Sequence, residues 1–292
     1  MNADYFERDA LLIGGLARKT LVEGASGTVL GSTSKGLFLT SEQRILFITS
    51  ADYRSPFNIQ VFSLNNISDK INAGDVWTYQ AEHLLFTGKD IRIATQGSEV
   101  WQPSLPPKIE TDKQEQQRRI HALFQRIAVL DPLKGWLFLA TKPDAAPGSE
   151  SSIIQEMTDR FLTCAAKTDL DGAIEAGKSI LGRGGGLTPS GDDWISGFLL
   201  YHARTGNPSA FIRELGQTLT EMAFKSTTMI SANRIEAACQ GWSEELFLEV
   251  VDSLLVTDAQ LSNLTVEKLV NFGHSSGVDT CVGIGAALKE VG

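Results

Sequence analysis

The spacing of apolar residues changes once along this 292-residue chain, near residue 107, and that change limits what the chain can fold into. Before it, short apolar and β-branched runs recur between clusters of Gly, Ser and Asn: Gly27–Leu30, Leu37–Thr40, Ile45–Thr49, Phe57–Phe62, Val76–Tyr79, His83–Phe86 and Ile91–Ala94. Such runs, bounded by turn residues, are strands, and so many in close succession suit a small barrel or sandwich. Leu11–Ala17 reads as a short helix ahead of them. Pro103, Pro106 and Pro107 then break regular structure, and a charged stretch, Lys108–Arg119, opens the next segment. From Thr111 the apolar residues recur at helical spacing, through Ile120, Leu123, Phe124 and Ile127. Further helices are expected at Ile153–Ala166, Asp171–Leu181, Ser190–Tyr201, Ser209–Phe224, Ser226–Cys239, Ser243–Leu255, Thr265–Phe272 and Ser276–Glu290. The predicted class is α+β, with an N-terminal β-rich barrel or sandwich domain over 1–107 and a mostly α-helical domain over 108–292.

Charge and composition exclude several functions. The net charge of −9 and pI near 5.0 make the chain a poor partner for nucleic acid. Its longest apolar runs, such as Trp136–Ala140, fall far short of the roughly 20 residues of a membrane span. Asp4, Glu7 and Asp9 precede any apolar segment, the wrong charge order for a secretory signal. Cys164, Cys239 and Cys281 lie far apart without CxxC spacing, so they read as reduced, buried thiols of a cytoplasmic protein.

The segment Gly182–Asp193 carries the strongest chemical signal. Gly184, Gly185 and Gly186 lead through Leu187, Thr188 and Pro189 to Ser190, Gly191, Asp192 and Asp193, and on into an apolar helix. Glycines let backbone approach a ligand closely. Thr188 suits the N-cap and Pro189 the first helical position. Free N–H groups and the positive end of the dipole there suit phosphate or carboxylate, and Arg183 can add a forked contact. A plain glycine connection with acids in the first helical turn is the blander alternative. The segment lacks both the Gly-Lys-Ser/Thr ending of a phosphate-binding nucleotide loop and the preceding strand of a dinucleotide fingerprint.

A second segment repeats the first. At one offset of 86 residues, Ser190 matches Ser276, Gly191 matches Gly277, Asp193 matches Asp279 and Gly197 matches Gly283. Glycine inside a helix costs about 1 kcal/mol against alanine, so close contact between the two helices is the expected compensation. Their starts would then converge. His274 and Ser275 precede the second helix, His274 as an acid, base or anion ligand or as a cap. Asp192, Asp193 and Asp279 can be read as caps or as carboxylates for Mg²⁺; no metal site and no cofactor is assigned. Ser226, Thr227 and Thr228, after Lys225, offer hydroxyls for an anion or ordinary capping. Arg54–Asn58 reads as a turn entering a strand. His83, His121 and His202 show no ligand spacing.

On Gly184–Asp193, Ser226–Thr228 and Gly273–Thr280, with Arg54–Asn58 as a weaker match, the chain resembles a bacterial family of oxamate carbamoyltransferase subunits, the AllH-like family. Val278 departs from the aromatic or small residue expected there. The resemblance implies phosphorolysis of oxalurate to oxamate and carbamoyl phosphate in allantoin breakdown, and partner subunits in a heteromeric enzyme. The candidate catalytic residues are Asp193, Asp279 and His274. Arg183, Gly184, Gly185, Gly186, Thr188, Ser190, Gly191, Asp192, Ser226, Thr227, Ser275, Ser276 and Gly277 are the candidates for contact with a small anion. Two other readings stand beside it. Gly-x-Asp-Thr before a small-residue helix is weakly similar to Mg²⁺-dependent ADP-ribosylglycohydrolases, although Cys281 replaces their second acid. A non-catalytic, metabolite-binding regulatory subunit is the other.

Overall fold

The computed structural model describes residues 6–65, 67, 69–141 and 146–290; Met1–Tyr5, and with them Asp4 of the N-terminal charge pattern, lie outside. The chain divides into two compact units, Met1–Ser104 and Leu105–Gly292.

Eight strands close the first unit into a barrel. They are β1 (Phe6–Gly14), β2 (Ser26–Thr33), β3 (Gly36–Ser41), β4 (Arg44–Thr49), β5 (Asn58–Val61), β6 (Val76–Gln80), β7 (His83–Phe86) and β8 (Ile91–Ala94). Their order is β5-β4-β3-β2-β6-β7-β8-β1, and antiparallel pairing of β1 with β5 completes the ring. Closure leaves few unpaired edges, so of the barrel and the sandwich the chain adopts the barrel. β9 (Glu99–Trp101) follows β8 along β1, with Phe6–Asp9 beside β8 and Leu12–Gly14 beside β9. Alternate residues fill the interior, among them Leu46 and Ile48, Trp77 and Tyr79, Leu84 and Phe86, and Ile91 and Ile93.

Six of the seven expected runs lie within a strand, and the seventh, Phe57–Phe62, exceeds β5 by one residue at each end, whereas β1 and β9 have no counterpart among the expectations. The helix expected at Leu11–Ala17 is corrected: residues 11–14 finish β1, and α1 spans Gly15–Thr20. Leu12 and Ile13 pair with both β5 and β9, and this two-sided pairing overrides their local helical pattern. The Arg54–Asn58 turn supports α1. The Leu16 and Ala17 N–H groups donate to the Pro56 carbonyl at 3.0 and 2.9 Å. A Cβ on Gly14 would sit 2.2 Å from the Ser55 carbonyl oxygen, so only glycine lets this turn close.

The second unit is helical: α2 (Lys113–Leu130), α3 (Phe138–Thr141), α4 (Glu150–Ala166), α5 (Leu170–Ile180), α6 (Ser190–Arg204), α7 (Ala210–Ser226), α8 (Met229–Cys239), α9 (Glu245–Leu255), α10 (Asn263–Val270) and α11 (Ser276–Glu290). Side chains cap most starts: Asp112 for α2, Ser149 for α4, Asp169 for α5, Ser209 for α7, Thr228 for α8 and Ser262 for α10. At the end of α9, Arg119 donates to the carbonyls of Ser253, Val256 and Thr257, each at 2.7 Å. Of the three cysteines, expected to be buried, Cys281 is buried, but Cys164 and Cys239 are only half-buried, Cys239 because it lines an open cleft along α6–α8; none forms a disulfide.

α6 and α11 are the centre of this unit. Every residue from Gly191 to Tyr201, and from Ser276 to Leu288, is buried, as expected of helices enclosed by others. They pack on each other through the repeated glycines: a Cβ on Gly197 would lie 2.0 Å from the Thr280 carbonyl oxygen, and one on Gly283 would lie 2.0 Å from that of Trp194. Thr280 and Trp194 stand at the same 86-residue offset as the two glycines. The crossing therefore has a local two-fold axis, and backbone meets backbone.

Gly197→Ala and Gly283→Ala should each lower stability by about 1–3 kcal/mol, the usual cost of overpacking. Gly185→Ala, where nothing lies within 4 Å of the added atom, should change it little. Chemical unfolding monitored by circular dichroism checks both; an unaffected Gly283→Ala would show that the helices can slide apart.

Candidate functional site

The close crossing brings both helix starts together, and the residues there come from five segments. α5 ends at Ile180, and the chain turns through Leu181 and Gly182, which has φ +73°. Positive φ recurs at Gly184 (+108°) and Gly186 (+92°), so the loop coils in a way that other residues resist. Arg183 through Leu187 are exposed. The loop is anchored at both ends: the Gly191 N–H donates to the Arg183 carbonyl at 2.9 Å, and the Thr228 hydroxyl donates to the Leu187 carbonyl at 2.6 Å.

This geometry corrects two details of the helix start. Pro189, not Thr188, occupies the N-cap position, and no side chain caps it. Thr188 instead shares a 2.7 Å hydrogen bond with Ser276 Oγ, which ties the loop to α11. The Gly191 N–H, expected to face an anion, is already spent on the Arg183 carbonyl. A Cβ on Gly184 would lie 2.9 Å from the Ser190 nitrogen, so the glycine loop passes directly over the first turn of α6.

Three carboxyls lie beneath. Asp192 joins α6 to the α7–α8 junction: its Oδ1 accepts from the Gly182 N–H at 2.7 Å, and its Oδ2 accepts from the Thr227 hydroxyl. Burial raises its pKa, against the pull of Thr227 and Gly182. Ser226 turns its hydroxyl back to the Met222 carbonyl at 2.8 Å, inside its own helix, and Thr228 caps α8.

Asp193 is 1% exposed and bonds Arg234 Nη1 through Oδ1. Arg234 lies between two acids, since its Nε stands 3.3 Å from Glu244 Oε1, and its guanidinium rests 5.6 Å from the Phe247 ring centroid and 5.9 Å from that of Phe272. Burial pushes the Asp193 carboxyl up to about 7 despite Arg234, and nearby Asp279 pushes the same way.

Asp279 is wholly buried, and its Oδ1 accepts from the Trp136 N–H at 2.6 Å. Gly135, at φ +49°, makes room for it, because a Cβ there would fall 2.1 Å from Asp279 Oδ1. Burial raises its pKa, opposed by the Trp136 N–H, the Ser190 and Ser275 hydroxyls and His274. Each acid is thus influenced by the serine at the start of the other helix: Asp193 by Ser276, Asp279 by Ser190. Oδ2 of both Asp193 and Asp279 is buried with no hydrogen-bond partner among the described residues.

His274 and Arg183 are exposed at the mouth, as is Lys225, while Ser275 is half-buried. Gly277 holds α11 against α10, since a Cβ there would fall 2.0 Å from the Leu269 carbonyl oxygen. Every proposed site residue except Ser226 either belongs to this constellation or lies on its rim. Arg234, Glu244, Gly135 and Trp136 are the additions that sequence reasoning missed. The available signal was an arginine in a helix of small residues, Ser231–Ala238, which needs a buried acid. Among the described residues, no three His, Cys, Asp or Glu side chains are grouped to hold a metal ion. An open cleft of about 470 Å³, lined by Leu199, Ile212, Phe224 and Cys239 among others, lies along α6–α8, apart from these acids.

The structure defines an α+β protein whose helical unit buries a pair of acids under two crossed helix starts. The family model described as oxamate carbamoyltransferase subunit AllH matches residues 180–288, from the last residue of α5 through nearly all of α11. The resemblance carried by the Gly184–Asp193 and Gly273–Thr280 segments is borne out by that match. No solved structure matches the chain. Among the described residues no helix is long and apolar enough to cross a membrane.

Two outcomes follow from the buried charges. The folded chain holds on Asp193 a proton that an unfolded carboxyl, at 3.8, gives up. Stability should therefore fall as pH rises from about 4 to 7 and level off above that, by up to about 1.4 kcal/mol per pH unit. Thermal unfolding between about pH 5 and 8 checks this; Asp193→Asn should flatten the dependence, and a midpoint that climbs with pH would show the carboxyl ionised. Arg234→Ala, which strands Asp193 and Glu244 without their cation, should cost about 3–5 kcal/mol in chemical unfolding.

Proposed function

We propose that this chain is a subunit of a heteromeric carbamoyltransferase that converts oxalurate and phosphate to oxamate and carbamoyl phosphate in allantoin degradation. The observation that carries this reading is the family match, because its span contains the glycine loop, both helix starts, the Ser226–Thr228 junction and the Arg234–Glu244 pair.

The chemistry asks for three things. Phosphate oxygen must bond to the carbamoyl carbon, the bond from that carbon to the oxamate nitrogen must break, and the leaving nitrogen must gain a proton. Arg183, His274 and the backbone of Gly184–Gly186 form an exposed, positively disposed rim suited to phosphate and to the oxamate carboxylate. Donors fixed there before reaction stabilise charge at the attacked carbonyl without reorganising. A carboxyl held near 7, as in Asp193, can give and retake a proton at working pH. It lies too deep to touch substrate, so the proton passes through Ser276, with Asp279 and Ser190 as the matching pair. The rim in this reading is cationic and the interior acidic, which separates substrate binding from proton storage.

Assayed alone, the chain should leave oxalurate and phosphate unchanged; with its partner subunits it should yield carbamoyl phosphate. Full turnover by the isolated chain overturns the subunit assignment. In the reconstituted enzyme, Gly184→Ala, strained at φ +108° and pressed on the Ser190 nitrogen, should lower turnover at least tenfold.

A further inference from the structure

We propose that a slot between α4 and α11 binds a free α-amino acid with an apolar side chain, its ammonium on Asp159 and its carboxylate on Lys289. The slot uses none of the residues assigned to carbamoyl transfer, so it goes beyond that reading and stands or falls apart from it.

The slot is a cavity of about 250 Å³ in the helical unit. That is room for about eight waters at roughly 30 Å³ each, and it falls below the ~300–1,000 Å³ of sites for drug-sized ligands. The occupant is therefore of amino-acid size. Its walls are hydrocarbon: Leu162 comes from α4, Val282 and Ala286 from α11, Phe124 from α2 and Leu139 from α3, with Trp194 of α6 among them. A Cβ on Gly285 would fall 2.6 Å from the Phe124 ring, so glycine lets that ring lie against α11 beside the slot. The Trp194 indole is held by the Phe161 ring, edge-on at 5.3 Å, and by Phe198, stacked at 5.9 Å. These contacts fix the wall before any ligand enters.

Charge is added at the rim. Gln155, Asp159 and Leu162 share one face of α4, and Val282, Ala286 and Lys289 share one face of α11, so each helix brings to the slot hydrocarbon and one charge, of opposite sign. The Asp159 and Lys289 side chains are exposed, and neither forms an ion pair or a hydrogen bond among the described residues; the Gln155 amide is likewise unbonded. A free carboxylate and a free ammonium beside one apolar slot complement a ligand that carries both charges and a hydrocarbon tail. An α-amino acid is the smallest such compound.

The larger cleft along α6–α8 differs in this respect. There Arg213 donates to the Pro208 carbonyl at 2.5 Å, and Glu221 accepts from the Gln217 amide at 3.2 Å. Those charged groups are already engaged within the chain, whereas the pair at the smaller slot is not.

Calorimetry on the full chain tests the slot with leucine, glycine, isocaproate, which is leucine without its ammonium, and isoamylamine, which is leucine without its carboxylate. Leucine should bind; glycine, which keeps both charges and lacks the side chain, should bind at least tenfold more weakly. Asp159→Asn should weaken leucine about three- to tenfold without weakening isocaproate. Lys289→Gln should weaken leucine and isocaproate by a similar factor without weakening isoamylamine. Both positions are exposed, so neither variant should disturb the fold. Failure of leucine to bind, glycine binding as tightly as leucine, or unchanged leucine affinity in both variants overturns the site. Equal losses of leucine and isocaproate in Asp159→Asn also overturn it, because the carboxylate would then not be meeting the ammonium.

Discussion

The helical unit depends on two places where backbone touches backbone without a side chain between. At Gly197 and Gly283 even a methyl group would overlap a carbonyl oxygen of the facing helix. Helices with larger residues at their contact sit 8–10 Å apart; removing both side chains lets this pair come closer. Because each glycine stands seven residues after the serine that begins its helix, the crossing also sets how near the two first turns lie. Ser190 and Asp193 meet Ser276 and Asp279 because the glycines are where they are. The same device is used a level below: Gly191 lies against the Ile180 carbonyl and Gly277 against that of Leu269, which seats each central helix on the one preceding it.

That arrangement buries acids that would otherwise be solvated. Asp192, Asp193, Asp279 and Glu244 are all buried, with Arg234 the one buried basic side chain in direct contact with any of them among the described residues. Hydroxyls and backbone N–H groups from Gly182, Thr227 and Trp136 share the remaining load. Such a network costs stability where a hydrophobic core would not. The cost falls on the acids' charged forms, and the rise of Asp193 to about 7 is its direct expression.

The parts of this fold legible in the sequence are those set by local pattern or by repetition. The seven short strand runs, the helical spacing from Ile120 onward and the Ser-Gly-x-Asp repeat all depend on neighbours within a few residues, or on identity at one offset. The repeat also led to the convergence of the two helix starts, because glycine inside a helix needs a compensating contact. What stayed hidden depends on distant partners. In β1, Glu7, Arg8 and Asp9 interrupt the apolar pattern, and the strand exists because β5, β8 and β9 all pair with it. Thr188 looked like a cap because capping is local; its actual bond reaches 88 residues along the chain. Arg234 stands out in a helix of small residues as a side chain that needs a buried acid, but nothing in that helix names Asp193 and Glu244 as its partners.

The two acids, equivalent by symmetry, are tuned by parts of the chain with different standing. Arg234, which serves Asp193, lies inside the stretch matched by the family model, whereas Gly135 and Trp136, which serve Asp279, lie outside it. A guanidinium lowers the energy of a charged carboxylate over several ångströms, while one N–H acts only at contact. Asp193 therefore has a long-range partner that stays with its helix bundle, and Asp279 depends on the placement of a single turn, Asp131–Trp136, at the end of α2. Any displacement of that turn removes the hydrogen bond to Asp279 Oδ1 and leaves the carboxyl with only hydroxyls and His274 to oppose its burial. The pair is thus symmetric in position and asymmetric in control, with one acid fixed by the core and the other answerable to a turn.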